Sequence, residues 1–259
     1  MGTSSHNPGQ SGHTPLVPSW VDDNDISITN PIMPNGDPRR FSAARVNMTK
    51  FANSGSIHDF KQAVSRYVRH STGGTQGAVN RLGSARESTA KLFGVLGAFS
   101  EGGASSVQEY LNTYNLVGLQ ADEALRSITN LICDDGGLTN EGVARDAYID
   151  TLADMKELRS IHFEDLLPDQ IMLFLEGCMA RIVVGRLLND IGDKTLSIPD
   201  SLQKAVNIKK RMISLVKGLI RDAFDKMKLT PDKVQKDKAQ SISDRVYEMV
   251  YRSFQAVGE

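Results

Sequence analysis

The side chains that most often carry catalytic or metal chemistry are scarce in this 259-residue sequence, and their spacing matches no established site. No histidine belongs to an HExxH motif or to a motif of paired cysteines, the common patterns of zinc ligands. The Gly-x-Ser-x-Gly sequence of an activated serine is also absent. We therefore predict no catalytic residue, no metal ligand and no cofactor, and interpret the chain as a non-enzymatic protein. The histidines are His6, His13, His58, His70 and His162.

A glycine-rich segment and two cysteines are the remaining candidates for binding or nucleophilic chemistry. The segment 73–77 is followed by Ala78 rather than by the lysine of an ATP-binding loop. We interpret it as a helix entry, with a phosphate held by its amides as the alternative. Cys178 lies in a strongly apolar segment, which is typical of a buried thiol. Cys133 precedes two aspartates, whose charges are expected to raise its pKa.

The elements that carry these residues are predicted to be helices. Beyond Arg39, apolar residues recur at helical spacing and no segment alternates with the period of a strand. Ser56, with Asp59 three residues later, is typical of a helix N-cap. A break near Gly83 is the alternative to one long helix over 76–99. The predicted helices cover about 42–53, 57–70, 76–99, 105–115, 120–133, 139–159, 168–190, 199–227 and 237–256.

Residues 1–38 differ in composition from the rest of the chain. They contain six of the nine prolines, and no lysine or arginine precedes Arg39. Because proline removes backbone donors and glycine raises the entropic cost of ordering, we expect neither a helix nor a central strand here. The predicted fold class is therefore all-α, a multi-helix bundle over 39–259 with an extended N-terminal arm over 1–38. A subdivision of the bundle near 134–138 is the alternative domain organisation.

An apolar stretch, Leu16-Val17-Pro18-Ser19-Trp20-Val21, interrupts the polar arm. Such a stretch is expected to pack against another protein surface. One alternative is the helical domain of the same chain. The other is a groove on another protein, where an aromatic anchor is a usual hot spot.

Charge is unevenly distributed, although the formal net charge is only −1. Residues 39–91 contain ten basic and two acidic side chains, a net charge of +8, whereas 122–165 contain four basic and eleven acidic ones, a net charge of −7. One interpretation is that the opposite charges of these two segments neutralise each other within the bundle. The alternative is that the basic segment binds nucleic acid or an acidic partner. Nucleic-acid binding would be salt-sensitive, because it would depend on phosphate contacts. The candidate residues for this alternative are Arg39, Arg40, Arg45, Lys50, Arg66 and Arg69.

No segment is typical of a membrane protein or of a secreted one. The longest apolar segment, 171–188, contains Glu176, Arg181 and Arg186, which a membrane span would bear at high cost. The N-terminus lacks the pattern of a signal peptide. Two cysteines exclude a disulfide framework and favour a reducing compartment. We therefore expect a cytoplasmic protein that does not associate with membranes.

Several short motifs together resemble the QatB family. They are Met1-Gly2-Thr3-Ser4, Pro15 to Val21, Arg40-Phe41-Ser42-Ala43-Ala44-Arg45, Phe51-Ala52, and Tyr67-Val68-Arg69 with Gly73-Gly74, over roughly the first 100 residues. The resemblance implies an accessory protein of the Qat anti-phage defence system. Its implied partners are a QueC-like synthetase component (QatC), which resembles the queuosine-pathway enzyme that makes 7-cyano-7-deazaguanine, together with an ATPase and a TatD-like nuclease.

The same resemblance implies a use for the arm. Related defence systems pair a queuosine-type synthetase with a protein whose N-terminal residue is conjugated to a deazapurine. Removal of Met1 would expose the Gly2 amine, and at an unperturbed pKa of about 8 an appreciable fraction of it is neutral at pH 7. Gly2 is therefore the expected modification site. The residues expected to bind the synthetase are Gly2, Thr3, Ser4, Leu16, Val17, Trp20 and Val21.

Overall fold

The computed structural model describes residues 39–134, 139–192 and 202–256, which form an all-α multi-helix bundle. Within these ranges no β-strand forms, and a single isolated bridge joins Gln120 to His162. The predicted arm and its candidate partner-binding residues lie outside the described residues. The α-helices are α1 (Ser42–Ser54), α2 (Ile57–Arg66), α3 (Thr75–Asn80), α4 (Ala85–Tyr110), α5 (Ala121–Ser127), α6 (Thr129–Ile132), α7 (Thr139–Asp154), α8 (Pro168–Leu187), α9 (Leu202–Met227) and α10 (Ala239–Ala256).

Local signals set the boundary between α1 and α2. Gly55 ends α1 in the left-handed conformation (φ 67°), and its amide donates to the Phe51 carbonyl at 2.7 Å. The predicted N-cap of α2 is confirmed, because the Asp59 amide donates to the Ser56 hydroxyl at 3.4 Å. One π-helical turn, Tyr67–Ser71, then continues α2.

The long helix predicted over 76–99 is divided, and the alternative break at Gly83 is confirmed. Gly83 has φ +50°, and a Cβ there would lie 2.3 Å from the side-chain amide nitrogen of Asn140. Only glycine combines this backbone conformation with so close an approach. The break separates α3 from α4 and is one reason why the described residues form ten α-helices rather than the nine predicted.

The gap between the helices predicted over 76–99 and 105–115 is instead a kink within α4. Gly102 and Gly103 leave helical geometry, and the helix then resumes as far as Tyr110. The kink returns the Tyr110 ring to the first half of α4, where a Cβ on Gly94 would lie 2.0 Å from the Tyr110 hydroxyl. Gly94 therefore makes room for the end of its own helix.

Helix α8 lies at the centre of the bundle, in contact with α4, α7 and α9. Its Phe174 packs edge-to-face on Tyr148 of α7, with ring centroids 4.9 Å apart. This burial explains why the segment 171–188 is so apolar. Among the helices of the described ranges, none combines the length and apolar character that crossing a bilayer requires.

Two glycines provide a matched test of this packing. A Cβ on Gly77 would lie 1.7 Å from the Thr72 carbonyl oxygen, whereas a Cβ on Gly218, within α9, would meet nothing within 4 Å. Gly77→Ala should lower the free energy of unfolding by about 1–3 kcal/mol through overpacking. Gly218→Ala should raise it by about 0.5–1 kcal/mol, because alanine favours the helix. Urea unfolding followed by circular dichroism measures both, and a stabilised Gly77→Ala variant would contradict the packing described here.

Candidate functional site

The basic residues predicted to bind nucleic acid have different environments in the structure. Lys50 on α1 and Arg66 on α2 are exposed, as is Arg39. The Arg69 guanidinium instead donates to the Gln255 carbonyl near the end of α10, with Nε 3.1 Å from that oxygen. The segment therefore does not present its charges as one continuous surface.

Two further arginines of the segment surround the ring of Phe41, in the first described turn of the chain. The Arg40 and Arg45 guanidinium carbons lie 4.9 and 5.6 Å from the ring centre. A third, Arg81, lies 5.4 Å away. Such cation–π contacts each contribute about 0.5–1 kcal/mol where solvent reaches them. Arg45 Nη2 also donates to the backbone carbonyl of Asp190 at 3.1 Å, so it is held by two interactions.

The Asp190 carboxylate is the centre of a buried ionic group, hereafter the Asp190 cluster, formed with Tyr67, Arg81 and Arg186. Arg81 donates to it through Nε at 2.8 Å and Nη2 at 2.7 Å. Arg186 donates through Nε at 3.2 Å and Nη2 at 2.7 Å. The Tyr67 hydroxyl adds a bond of 2.7 Å. The Asp190 side chain is 7% exposed and both arginine side chains are 13% exposed.

Opposing effects set the ionisation of this cluster. Burial by itself raises the pKa of Asp190, but hydrogen bonding to Arg81 and the charges of Arg186 and Arg81 outweigh it, so the pKa lies below its usual value. Burial, with smaller contributions from Tyr251 and Asp190, holds the pKa of Tyr67 well above its usual range. At neutral pH the cluster therefore contains one carboxylate, two guanidinium ions and a neutral phenol. Its chemistry is that of a fixed ionic junction.

Asp190 was not among the residues predicted from the sequence, and Arg186 was considered only as an obstacle to membrane insertion. A signal was present, because an arginine and an aspartate four residues apart in an apolar segment suit an ion pair on one helix face. Asp190 itself lies in the π-helical turn Leu188–Gly192 that continues α8. Its partners on the π-helical turn Tyr67–Ser71 and just after α3 are more than 100 residues away in the sequence. Sequence spacing does not predict pairing at that separation.

One described ion pair joins the basic and acidic segments, between Lys91 and Asp134 at 3.4 Å. Arg86 pairs instead with Asp244 of α10, at 3.2 Å, and Arg81 pairs with Asp190. Among the described residues, the basic segment is therefore balanced largely by carboxylates from outside 122–165.

Neither cysteine is placed for nucleophilic chemistry. Burial raises the pKa of Cys133 to about 11 and that of Cys178 to about 12, and both thiols are free and buried. For Cys133 the expected direction is right, but burial is the main cause and the charge of Asp134 contributes less. Within the described ranges no group of three or more histidine, cysteine, aspartate or glutamate side chains is arranged to hold a metal ion.

The glycine-rich segment is folded as a helix entry. The Gly74 amide donates to the Val68 carbonyl at 2.7 Å, and the Ala78 amide donates to the Gly74 carbonyl at 3.1 Å. Because the Gly74 amide already donates a hydrogen bond, it is not available to bind a phosphate, which was the alternative role of this segment. Helix α3, which follows, has only six residues.

Comparison with known proteins assigns this bundle to a family. This family belongs to the class of anti-phage accessory proteins. Its family model, described as the Qat anti-phage system associated protein QatB, matches residues 73–254 of the chain. The match covers more than half of the chain, which therefore belongs to the QatB family, as its motifs indicated. The matched region begins at Gly73, so most of the motifs that suggested the family precede it. No curated protein and no solved structure matches the chain.

The Asp190 cluster generates a prediction about stability. Asp190→Asn keeps the side-chain shape but leaves Arg81 and Arg186 without their counter-charge, so the free energy of unfolding should fall by about 3–5 kcal/mol. The matched control is Asp150→Asn, which breaks an exposed ion pair with Lys209 and should cost at most about 1 kcal/mol. Urea unfolding at pH 7 compares the two variants.

The same pair of proteins tests the pH dependence. Because folding lowers the pKa of Asp190, its stabilisation is complete above the unfolded value of about 4 and is lost as pH falls through the folded value. The difference in stability between wild type and Asp190→Asn should therefore shrink below about pH 4. A difference that is small at pH 7, or that does not change in acid, would contradict the ionic role of Asp190.

Proposed function

We propose that this chain is a non-enzymatic component of the Qat defence complex, and that its N-terminal arm binds the QueC-like synthetase component (QatC). The observation that carries this proposal is the match to the QatB family over residues 73–254. The ATPase and the TatD-like nuclease are the further expected components. Two free buried thiols suit a reducing compartment, and we place the protein in the cytoplasm on that basis.

The composition of the arm supports a role in recognition. It is rich in proline and lacks basic residues, and its one strongly apolar stretch contains Trp20, the only tryptophan of the chain. Tryptophan is enriched at protein interfaces, where one buried aromatic anchor often contributes most of the affinity. Leu16, Val17 and Val21 would extend this anchor. The described residues begin beside Phe41 and the Asp190 cluster.

We further propose that Gly2 is the residue the synthetase modifies. Glycine has no side chain to hinder attack, and Thr3 and Ser4 keep the chain slender behind it. In this step the neutral Gly2 amine condenses with a deazapurine carboxylate that the synthetase has activated with ATP. An amide bond forms, the activated carboxyl group loses its nucleotide, and the amine releases a proton.

Intact-mass measurement tests the modification. Wild-type chain co-expressed with its QueC-like partner should lose Met1 and gain the mass of one deazapurine acyl group, located on the N-terminal peptide by fragmentation. Gly2→Leu, whose bulk hinders both methionine removal and attack, should stay unmodified. A wild-type chain that carries a free Gly2 amine after co-expression would reject the proposed conjugation.

Binding of the arm is tested separately from its modification. Trp20→Ala should weaken binding of the purified full-length chain to the synthetase by about 30-fold, the equivalent of about 2 kcal/mol for a hot-spot side chain. The control is Gln10→Ala, a change in the same arm outside the apolar stretch. Calorimetry or surface plasmon resonance measures both affinities. Equal affinities for wild type and Trp20→Ala would exclude the apolar stretch as the anchor.

A further inference from the structure

The loop that joins α4 to α5, residues 111–119, presents apolar side chains to solvent. Tyr114 is 77% exposed and Val117 is 51% exposed. Leu167, which follows the segment 161–164 to which this loop is bonded, is 62% exposed. Within the described ranges, these are three of the four large apolar side chains that are more than half exposed. Single exposed apolar side chains are normal on a protein surface, but their concentration at one place is typical of an interaction site.

Side chains of the bundle fix the backbone of this loop at three successive amides. The Gln108 side-chain oxygen accepts from the Leu116 amide at 2.7 Å and from the Val117 amide at 3.3 Å. The Gly118 amide donates to the Glu164 carboxylate, with the nitrogen 3.0 Å from Oε2. The Leu116 side chain is buried, so it anchors the loop to the core.

Backbone hydrogen bonds join the end of the loop to the segment 161–164. The Phe163 amide donates to the Leu119 carbonyl at 3.0 Å, and the Ala121 amide donates to the Ile161 carbonyl at 2.8 Å. This segment therefore braces the loop along its length. Together with the side-chain bonds, it leaves the loop little freedom to rearrange.

The loop also contains unfavourable backbone conformations. Asn112 has φ 48°, Asn115 has φ 64° and Gly118 has φ 86°. Positive φ is uncommon for residues other than glycine, and strain of this kind persists where the surrounding contacts determine the conformation. A loop fixed in this way loses little conformational entropy when it binds a partner. Tyr114 is thus presented on a preorganised support.

Carboxylates carry the charge beside the loop. Residues 92–125 and 160–180 contain no lysine or arginine. Glu109, at the end of α4, and Glu164 and Asp165, in and after the bracing segment, are all exposed. The hydrogen bond from the loop backbone lowers the pKa of Glu164, so this carboxylate is ionised at neutral pH.

Cations that adjoin these stretches are paired with carboxylates outside the loop. Arg126 and Arg159 lie 3.8 and 3.9 Å from the Asp122 carboxylate. Lys236 lies 2.7 Å from the Glu101 carboxylate. The loop therefore combines an apolar tip with an acidic surround.

This combination favours a protein partner over nucleic acid or a membrane. Tyrosine is enriched in the buried centres of protein interfaces. The acidic surround would repel the phosphates of nucleic acid and of anionic lipids. A protein surface with an apolar pocket and a basic rim is complementary to both the tip and the surround.

We propose that the 111–119 loop binds another protein of the defence complex, with Tyr114 and Val117 in an apolar pocket that has a basic rim. The inference rests on the proposed membership of this chain in that complex. It does not depend on the proposed role of the arm, because the two sites use different residues.

Surface plasmon resonance tests the site with the full-length chain and the purified synthetase, ATPase and nuclease components. Wild type should bind at least one of them. Tyr114→Ala with Val117→Ala should weaken that binding about tenfold or more, mainly through faster dissociation. Both side chains are exposed, so this variant should keep the wild-type midpoint of urea unfolding.

The matched control is Val46→Ala with Ile149→Ala, which also truncates two exposed apolar side chains, one on α1 and one on α7. It should change the affinity by less than about twofold, because neither residue lies in the loop. An equal loss in both variants would overturn the assignment to the loop.

Charge reversal tests the basic rim of the partner. Asp165→Lys should slow association about three- to tenfold at about 50 mM NaCl, and the difference should shrink at about 500 mM NaCl, where salt screens the charges. Asp146→Lys, at an exposed position of α7, makes the same change in net charge and should have a smaller effect. Faster association of Asp165→Lys would indicate an acidic partner surface and would overturn the proposal.

The same measurements separate the loop from the arm. A loss in the Tyr114 and Val117 variant but not in Trp20→Ala would support the loop and reject the arm. The opposite result would reject the loop and leave the arm in place, and binding of wild type to none of the components would reject both. Self-association of wild type in analytical ultracentrifugation that the loop variant abolishes would assign the surface to a second copy of the chain and overturn the proposal.

Discussion

A buried carboxylate that accepts hydrogen bonds from two arginines and a tyrosine is the interaction on which the arrangement of the bundle depends most. The four lone-pair sites of Asp190 are occupied by the two guanidinium groups, with the Tyr67 hydroxyl as a further donor. Two buried cations around one anion are tolerated only because the geometry is bidentate and solvent still reaches the edges of both arginines. The cluster joins the start of the domain, the turn after α2, the segment after α3 and the end of α8. These parts therefore have to assemble together.

This use of arginine explains why a count of charges along the chain is a poor guide to the charge at the surface. Residues 39–91 have the larger net positive charge, yet Arg45, Arg69 and Arg81 are held in contacts within the bundle. Helix α9 has fewer cations in total, but its apolar stripe forces most of them outward.

Local sequence signals predicted a helix boundary well where the signalling residue itself stabilises that boundary. Ser56 caps α2 by direct hydrogen bonding, and Pro168 begins α8 because its missing donor costs nothing at a first helical position. Glycine was less informative, since the same residue type serves different purposes. Gly83 ends a helix, Gly102 and Gly103 kink one, and Gly94 makes room for Tyr110. Which of these a glycine does depends on what packs against it, and that neighbour is often distant in the sequence.

The sequence alone was sufficient for the all-α class, for the caps and breaks of individual helices, for the family and for the separate composition of the first 38 residues. These properties depend on nearest neighbours, on periodicity or on short motifs, all of which are present in the linear order. Only the tertiary structure decided which arginines are buried and that Asp190 is their counter-ion. Burial and ion pairing in this cluster depend on contacts between residues more than 100 positions apart. No local sequence pattern shows which of several arginines will pair with the buried aspartate.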